Sequence, residues 1–422
     1  MANTSIFETK LSKRMQVTRY STPVFTAQAS FEERATLNDG EAVVRPTFAR
    51  LYSESYTRGS DMTEQGYTEA SETLTVNQIP GILLRVDDFD ALQHKSNIQN
   101  RVAGDGVRAI SKRIDSDYLG EVANATNTVD AGDVGGTAGT GISLDTSNVL
   151  QVYSAALRKL QLEDVSISGQ PDPRPDAGNM KPMGSSGFAN CNPNFYEKLS
   201  LSLAGRESAQ GDMVGKNGYM SSYFGFDNYI TTNGSWTGVL SMATNPTDGD
   251  TLVINGVTIT FQTTLTTASG AAEVHIASTV DITRANLVEF LNSAGADSEA
   301  EATDTGYSSV SAANQRLLAN IVWTNDNDAN TATGVAEGYG YIVVSETLTD
   351  TTDAWTSEIS HQMFGQKGAV DLVMQKEVGV KISDIPKQFG VYVKPRALYG
   401  LKTFTEGADA LVSVDINSAA WV

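Results

Sequence analysis

Between residues 41 and 124 the hydrophobic period changes once, and that change limits the possible folds more than any other feature. EAVVRPTFARLYSESY (41–56) alternates in part, TRGSD (57–61) supplies turn chemistry, and SETLTVNQIPGILLRV (71–86) alternates again through Leu74 and Val76. The pattern predicts one long two-stranded hairpin with a wide tip. Two strands bury too little to stand alone, so this ribbon must lie on something else. From Asp88 to about Asn124 the period becomes helical: Phe89, Leu92, Ile98, Val102, Ile110, Ile114 and Tyr118 fall near a 3.6-residue repeat. This spacing predicts one unusually long helix, with Gly-Asp-Gly at 104–106 as the place for a kink.

The change falls in RVDDFDALQHK (85–95), which gathers Asp87, Asp88, Asp90 and His94. On a helix Asp87, Asp90 and His94 share one face, as the ligands of a metal or acid/base site would. Capping explains the cluster better. Asp87 or Asp88 stands where a strand ends and a helix begins, the preferred place for an N-cap. Asp90 complements the positive end of the helix dipole, and Asp87 with Asp90 has the spacing of a capping box. One histidine with no second cluster beside it makes a poor metal site.

Around this core the chain divides by texture. Residues 1–40 form a polar arm without a sustained period. NATNTVDAGDVGGTAGTG (123–141) reads as loop, TSNVLQVYSAALRKLQLEDV (146–165) as a second helix, and GFANCNPNFYEKL as a strand turning at Pro193 into a helix. At about 244 the texture shifts. Asn255-Gly256 between alternating Val/Ile/Thr runs is a hairpin signal, 280–295 is a capped helix, and NIVWT and GYIVVSETL are strands separated by a long acidic loop. Residues 244–350 are therefore expected to form a self-contained inserted α+β domain, since 362–418 resumes the earlier style.

Composition excludes several classes of function. The chain has 422 residues and a net charge of -20, which opposes a nucleic-acid-binding module, whose affinity comes from Lys/Arg on phosphate. Its apolar runs are too short to span a bilayer, and MANTSIFETKLSKR lacks a signal peptide's apolar core, so synthesis in the cytoplasm is expected. A single cysteine, Cys191, rules out an internal disulfide and reads as a buried structural thiol. GDMVGKN (211–217) is one residue short of a phosphate loop and lacks its Ser/Thr, and GDGVRA (104–109) sits in a helical pattern without a preceding strand. Asp326, Asp328, Asn330 and Glu337 occupy positions 1, 3, 5 and 12 of a calcium loop, but Thr331 replaces the required glycine, so a solvated loop is the better reading. No nucleophile-elbow, HExxH or Cys/His signature appears, and His94, His275 and His361 lie in unrelated contexts. No cofactor is expected.

The order of parts resembles the major capsid protein of tailed double-stranded DNA bacteriophages, the Hong Kong 97 type fold. AVVRPTFARLYSESYTRGSDMTEQGYTEASETLTVNQIPGILLRVDDFDALQ looks like that family's extended E-loop leading into its spine helix. GFANCNPNFYEKL and NGYMSSYFGFDNYITTNG look like its central strand–helix pair and its GFD-x-Y strand. QMFGQKGAVDLVMQKEVGVKISDIPKQFGVYVKPRALYGLKTF looks like its closing β segment. The implied fold is α+β: an N-terminal arm (1–40), an E-loop hairpin (41–80), a peripheral P-domain with the spine helix (81–143), a first axial A-domain part (144–243), the insert (244–350), and a return to both domains (351–422).

The resemblance implies hexamers and pentamers closing into an icosahedral virion shell, assembled in the host cytoplasm. A separate scaffolding protein, a portal protein and, optionally, a decoration protein would be partners, and DNA would be enclosed without specific binding. Asp87, Asp88 and Asp90 would fix the ribbon's angle to the helix, with Arg45, Arg50 and Arg58 as the ribbon's cations. Positions 41–80 hold no lysine, so the covalent cross-linking of some members is not expected. An encapsulin-like nanocompartment shell is the alternative within this fold; an enzyme rich in carboxylates and a surface adhesin are rivals from other classes.

Overall fold

The computed structural model describes residues 23–34, 40–48, 53–62, 64, 66, 69–87, 98–165, 167, 186–204, 222–265, 270–293, 306–308, 310–319, 321–337, 342–386 and 389–418. A one-turn helix Phe25–Gln28 (α1) precedes strands Ala42–Phe48 (β1), Glu69–Thr75 (β2) and Leu84–Val86 (β3) and the long helix Ile98–Gly120 (α2). Strand Asn127–Val129 (β4), helix Val149–Leu162 (α3), strand Gly187–Cys191 (β5) and helix Pro193–Ala204 (α4) follow. Next come strands Ser222–Tyr223 (β6), Phe226–Ile230 (β7), Ser235–Ser241 (β8), Thr251–Ile254 (β9), Val257–Gln262 (β10) and Glu273–His275 (β11). Helices Val280–Asn292 (α5) and Ala312–Leu318 (α6) lead to Val322–Asp326 (β12), Thr331–Glu337 (β13), Val344–Glu346 (β14) and Ala354–Gln366 (β15). The chain closes with Asp371–Asp384 (β16), Val391–Lys402 (β17), Thr405–Asp409 (α7) and Leu411–Asn417 (β18).

β1 and β2 pair antiparallel from Ala42↔Thr75 to Phe48↔Glu69, as their alternation predicts. The ribbon is shorter than the sequence suggests, because after Val76, whose amide still donates to the Glu41 carbonyl, the chain leaves it and runs along β17. Gln78 bridges Tyr399, Gly81 bridges Arg396, and β3 pairs with β17. Gly400 permits this approach, since a Cβ there would meet the Thr75 carbonyl closer than real Cβ atoms come. β16, β17 and β3 make a three-stranded sheet on which α2 lies, burying Ile110, Ile114, Tyr118 and Leu119 against Leu372, Ala397 and Tyr399. The helix runs unbroken through 104–106. Gly106 brings its backbone onto the Pro395 ring, where any side chain would collide, so this glycine serves close packing and no kink.

The body is a nine-stranded sheet, β12-β13-β8-β15-β5-β7-β6, with β18 also pairing β15 and β4 pairing β18. α3 and α4 cover one face, and Tyr153 packs among Phe195, Phe226 and Phe364 at ring separations of 5.3 to 6.1 Å. α4 starts as its sequence predicts: Asn192 Oδ1 accepts from the Asn194 amide at 2.8 Å, and Pro193 fills the first helical position. The predicted loop at 123–141 contains β4, a parallel partner of β18. Three residues are too few to show a period, so its pairing is set entirely by its partner. α1 is held from below by Asp115, whose buried carboxylate accepts from the amides of Val24 (2.6 Å) and Phe25 (3.1 Å) and from Asn233 Nδ2 (2.7 Å). Burial lifts the Asp115 pKa, and these three donors pull against it.

Residues 244–350 are less self-contained than their texture suggests. β11-β10-β9-β14 form a separate sheet, with Asn255 and Gly256 at φ 52° and 78° as the predicted hairpin turn demands. Thr279 Oγ1 caps α5 by accepting from the Ile282 amide. The stretch expected as a long acidic loop instead contains β13, which pairs with β8 from Thr331↔Ser241 to Glu337↔Ser235 and carries β12 on its other side. Two strands of the 244–350 segment thus extend the body sheet. The reason lies in the small residues of TATGVAE: Gly334 and Gly238 leave room for the rings of Trp323 and Trp236, which with Trp355 form a cluster at 6.0 to 6.5 Å. The outer edge of β12 is closed by Asn292, whose amide both donates to the Trp323 carbonyl (2.9 Å) and accepts from its N–H (2.8 Å).

Candidate assembly surfaces

The foot of the ribbon is fastened to its own chain. Val43, Leu74 and Val76 are buried with Val373 and Phe404. Arg45 lies over the Phe404 ring at 4.2 Å and pairs with Glu33 (2.8 Å) and Asp371 (3.3 Å). Burial lowers the Arg45 pKa, and the acidic partners outweigh it, leaving a net rise and a permanently charged guanidinium. Glu72 accepts from the Thr405 hydroxyl and amide, which hold its pKa below the usual range despite partial burial. The Arg45 guanidinium is therefore engaged within its own chain. Arg58 lies in the exposed 57–60 turn, while Arg50 falls outside the described residues.

On the opposite face of the foot and beyond it, large apolar side chains are exposed. Val44 is 59% exposed, and Tyr56, Met62, Ile79 and Leu83 are each more than 60% exposed. At the far end of β16–β17, Ile382 and Phe389 are exposed as well. Scattered exposed hydrophobes need no explanation, but five large ones on the ribbon, its connecting segment and the return strand make this part of the chain a candidate contact surface. A second open surface is the outer face of β12, β13, β8 and β15. Register places Val322, Val335, Thr237 and Ile359 in one row and Thr324, Thr333, Val239 and Ser357 in the next, without a charge in either.

The remaining predicted residues take structural places where they are described. Asp87 lies 3.6 Å from Arg85; Asp88, Asp90 and His94 fall outside the described residues, as does GDMVGKN. Asp326 Oδ1 accepts from the amides of Asp328 (3.0 Å) and Ala329 (3.1 Å), closing the β12–β13 turn, with Asn330 at φ 55°. Positions 331–337 then run straight along β13, so Glu337 lies about 20 Å from the turn at strand rise and cannot complete a calcium loop. Among the described residues no three His, Cys, Asp or Glu side chains form a metal-binding group. Cys191 is buried beside Tyr153, and burial pushes its pKa up to about 12, as befits an inert thiol. No described helix is long and apolar enough to cross a membrane.

One constellation escaped the sequence reading. His361 Nδ1 meets Asp415 Oδ1 at 2.6 Å and Nε2 meets Thr237 Oγ1 at 3.1 Å, which is the order of a catalytic relay. Thr237, however, sits mid-strand with β13 and β15 paired on either side, so its neighbourhood offers no backbone N–H for an oxyanion. Only register could have shown this contact, because the three residues lie on strands 54 and 124 positions apart.

Comparison with known proteins places this architecture. No protein-family model and no curated protein matches the chain. Among solved structures, one from Mycobacterium phage Che8 aligns over 98% of this chain and 98% of its own, with a TM-score of 0.55 at 12% identity. The acidic stable capsid structure of Helicobacter pylori bacteriophage KHP30 aligns over 98% and 96%, with a TM-score of 0.49 at 11% identity. The capsid structure of the cyanophage P-SCSP1u aligns over 96% and 92%, with a TM-score of 0.46 at 9% identity. At these identities the likeness is one of fold: over nearly its whole length the chain has the fold of the Che8 phage structure.

Proposed function

We propose that this chain is a major capsid protein of a tailed double-stranded DNA bacteriophage, a structural subunit rather than an enzyme. The observation that carries the reading is the end-to-end fold match with the Che8 phage structure, over 98% of both chains. In this reading subunits join as hexamers and pentamers into an icosahedral shell that encloses DNA in the virion, with separate scaffolding and portal proteins as partners. The outward apolar run from Val44 to Leu83 is the part that lies on a neighbouring subunit, and Asp87, Asp88 and Asp90 fix the ribbon at the head of the long helix. The 244–350 segment faces outward and aids contacts between subunits or with the surroundings. A phage neighbour across the whole chain favours a virion over a cargo-storing compartment. Electron microscopy of the expressed protein tests this: closed or tubular shells are expected, and dispersed monomers would refute it. Because 41–80 hold no lysine, mature shells are expected to run as monomers on a denaturing gel, without a ladder of covalent multimers.

A further inference from the structure

We infer that a single buried water binds where β5 meets α4, beneath β15 and beside the anchored N-terminal segment. A cavity of about 10 Å³ is lined by Asn190, Asn192, Asn233, Ser360 and Gln362, among others. Asn192 and Gln362 are 5% and 4% exposed, and the amide nitrogen of each, Nδ2 and Nε2, has no partner among the described residues. A buried amide left unpaired costs about 1–3 kcal/mol, so two at one cavity call for an occupant.

Neither amide can turn to escape. Gln362 Oε1 accepts from the Asn192 backbone N–H at 3.3 Å, and Asn192 Oδ1 accepts from the Asn194 N–H at 2.8 Å. Rotating either group would set two donors face to face. Their neighbours are already committed: Gln28 and Asn190 exchange two bonds at 2.7 and 3.0 Å, and Asn233 Nδ2 donates to Asp115. The occupant must therefore accept two hydrogen bonds and fit a volume near the minimum for one water. Water does both, and Asn233 and Ser360 are polar residues of the same lining. A small anion could also accept two bonds, but a chain of net charge -20 disfavours it. The inference is independent of what the chain builds.

The test is a map of the full-length protein, in whatever assembly it takes, at a resolution that shows ordered water. One peak within about 2.7–3.2 Å of both nitrogens is expected. In Gln362→Leu, and in Gln362→Met should the first variant fold poorly, the peak should weaken several-fold. An empty cavity in the wild type, a peak whose strength follows chloride concentration, or one unchanged in either variant would each overturn the assignment.

Discussion

Arg284 is fully buried, yet its guanidinium donates to Met242 O (2.6 Å), Asn325 Oδ1 (2.7 Å), Asp281 Oδ1 (2.5 Å) and Asn327 Oδ1 (3.1 Å). It ties α5 to the β12–β13 turn and to the end of β8, which explains why that turn is rich in asparagine and aspartate without holding a metal. Arg284→Met should cost about 3 kcal/mol, since the Met242 carbonyl and Asn325 lose a buried donor while half-exposed Asp281 rehydrates. Denaturation followed by tryptophan fluorescence, with Trp323 in the same core, would measure it; a loss under about 1 kcal/mol contradicts the role. Glu358 behaves differently. It is half-buried, has no ion-pair partner among the described residues, and burial lifts its pKa from 4.5 to about 7. A raised folded pKa means the protonated form is favoured, so its contribution is full below about pH 4.5 and is lost as pH rises through about 7. Glu358→Gln should raise the unfolding midpoint at about pH 8 and leave it unchanged near pH 4; an equal gain at both would contradict the assignment.

Among the elements, the long helix separates two glycines that look alike in the sequence. Gly104 is exposed with nothing near its missing Cβ, whereas Gly106 touches the Pro395 ring. Gly104→Ala should stabilise by up to about 1 kcal/mol through helix propensity, and Gly106→Ala should destabilise despite the same propensity gain. Thermal unfolding of the two variants checks this, and a gain in both would mean helix and sheet are less closely packed. Where the chain crosses between the body sheet and the 244–350 segment, aspartates bind the two crossing segments. Asp353 accepts from the Ala243 amide at 2.6 Å, and Asp250 accepts from the Thr247 and Thr349 amides at 2.8 and 3.0 Å, so the two crossing segments are bound to each other. Burial pushes the Asp250 carboxyl up, but its Thr349 and Thr247 donors together outweigh it and hold the group below the usual carboxylate range, and this contribution fades as pH falls below about 4.

For the whole molecule, if the chain builds a shell as proposed, subunits of net charge -20 would meet best through uncharged surface, and the exposed apolar side chains near the ribbon and the Val/Thr face of the body sheet offer it. Screening should therefore aid association: shell yield is expected to rise between about 0.05 and 0.5 M salt, and a fall would mean that attraction between charges drives assembly. The sequence by itself determined what depends on a few neighbouring residues. The Asn255-Gly256 turn, the Thr279 cap, the Asn192-Pro193 helix start and the helical period of Ile110, Ile114 and Tyr118 all follow from local geometry, and they appear where expected. The ribbon's foot was legible as alternation through Leu74 and Val76, but Arg45's place over Phe404 was not, since the two lie more than 350 positions apart. Only the tertiary structure decided that 78–86 leave the ribbon for β17, that β13 joins the body sheet, and that His361 meets Asp415. Short strands carry too little period to announce themselves, and their register is fixed by which distant backbone has room for them: at Gly400, Gly334 and Gly238 that room is the absence of a side chain.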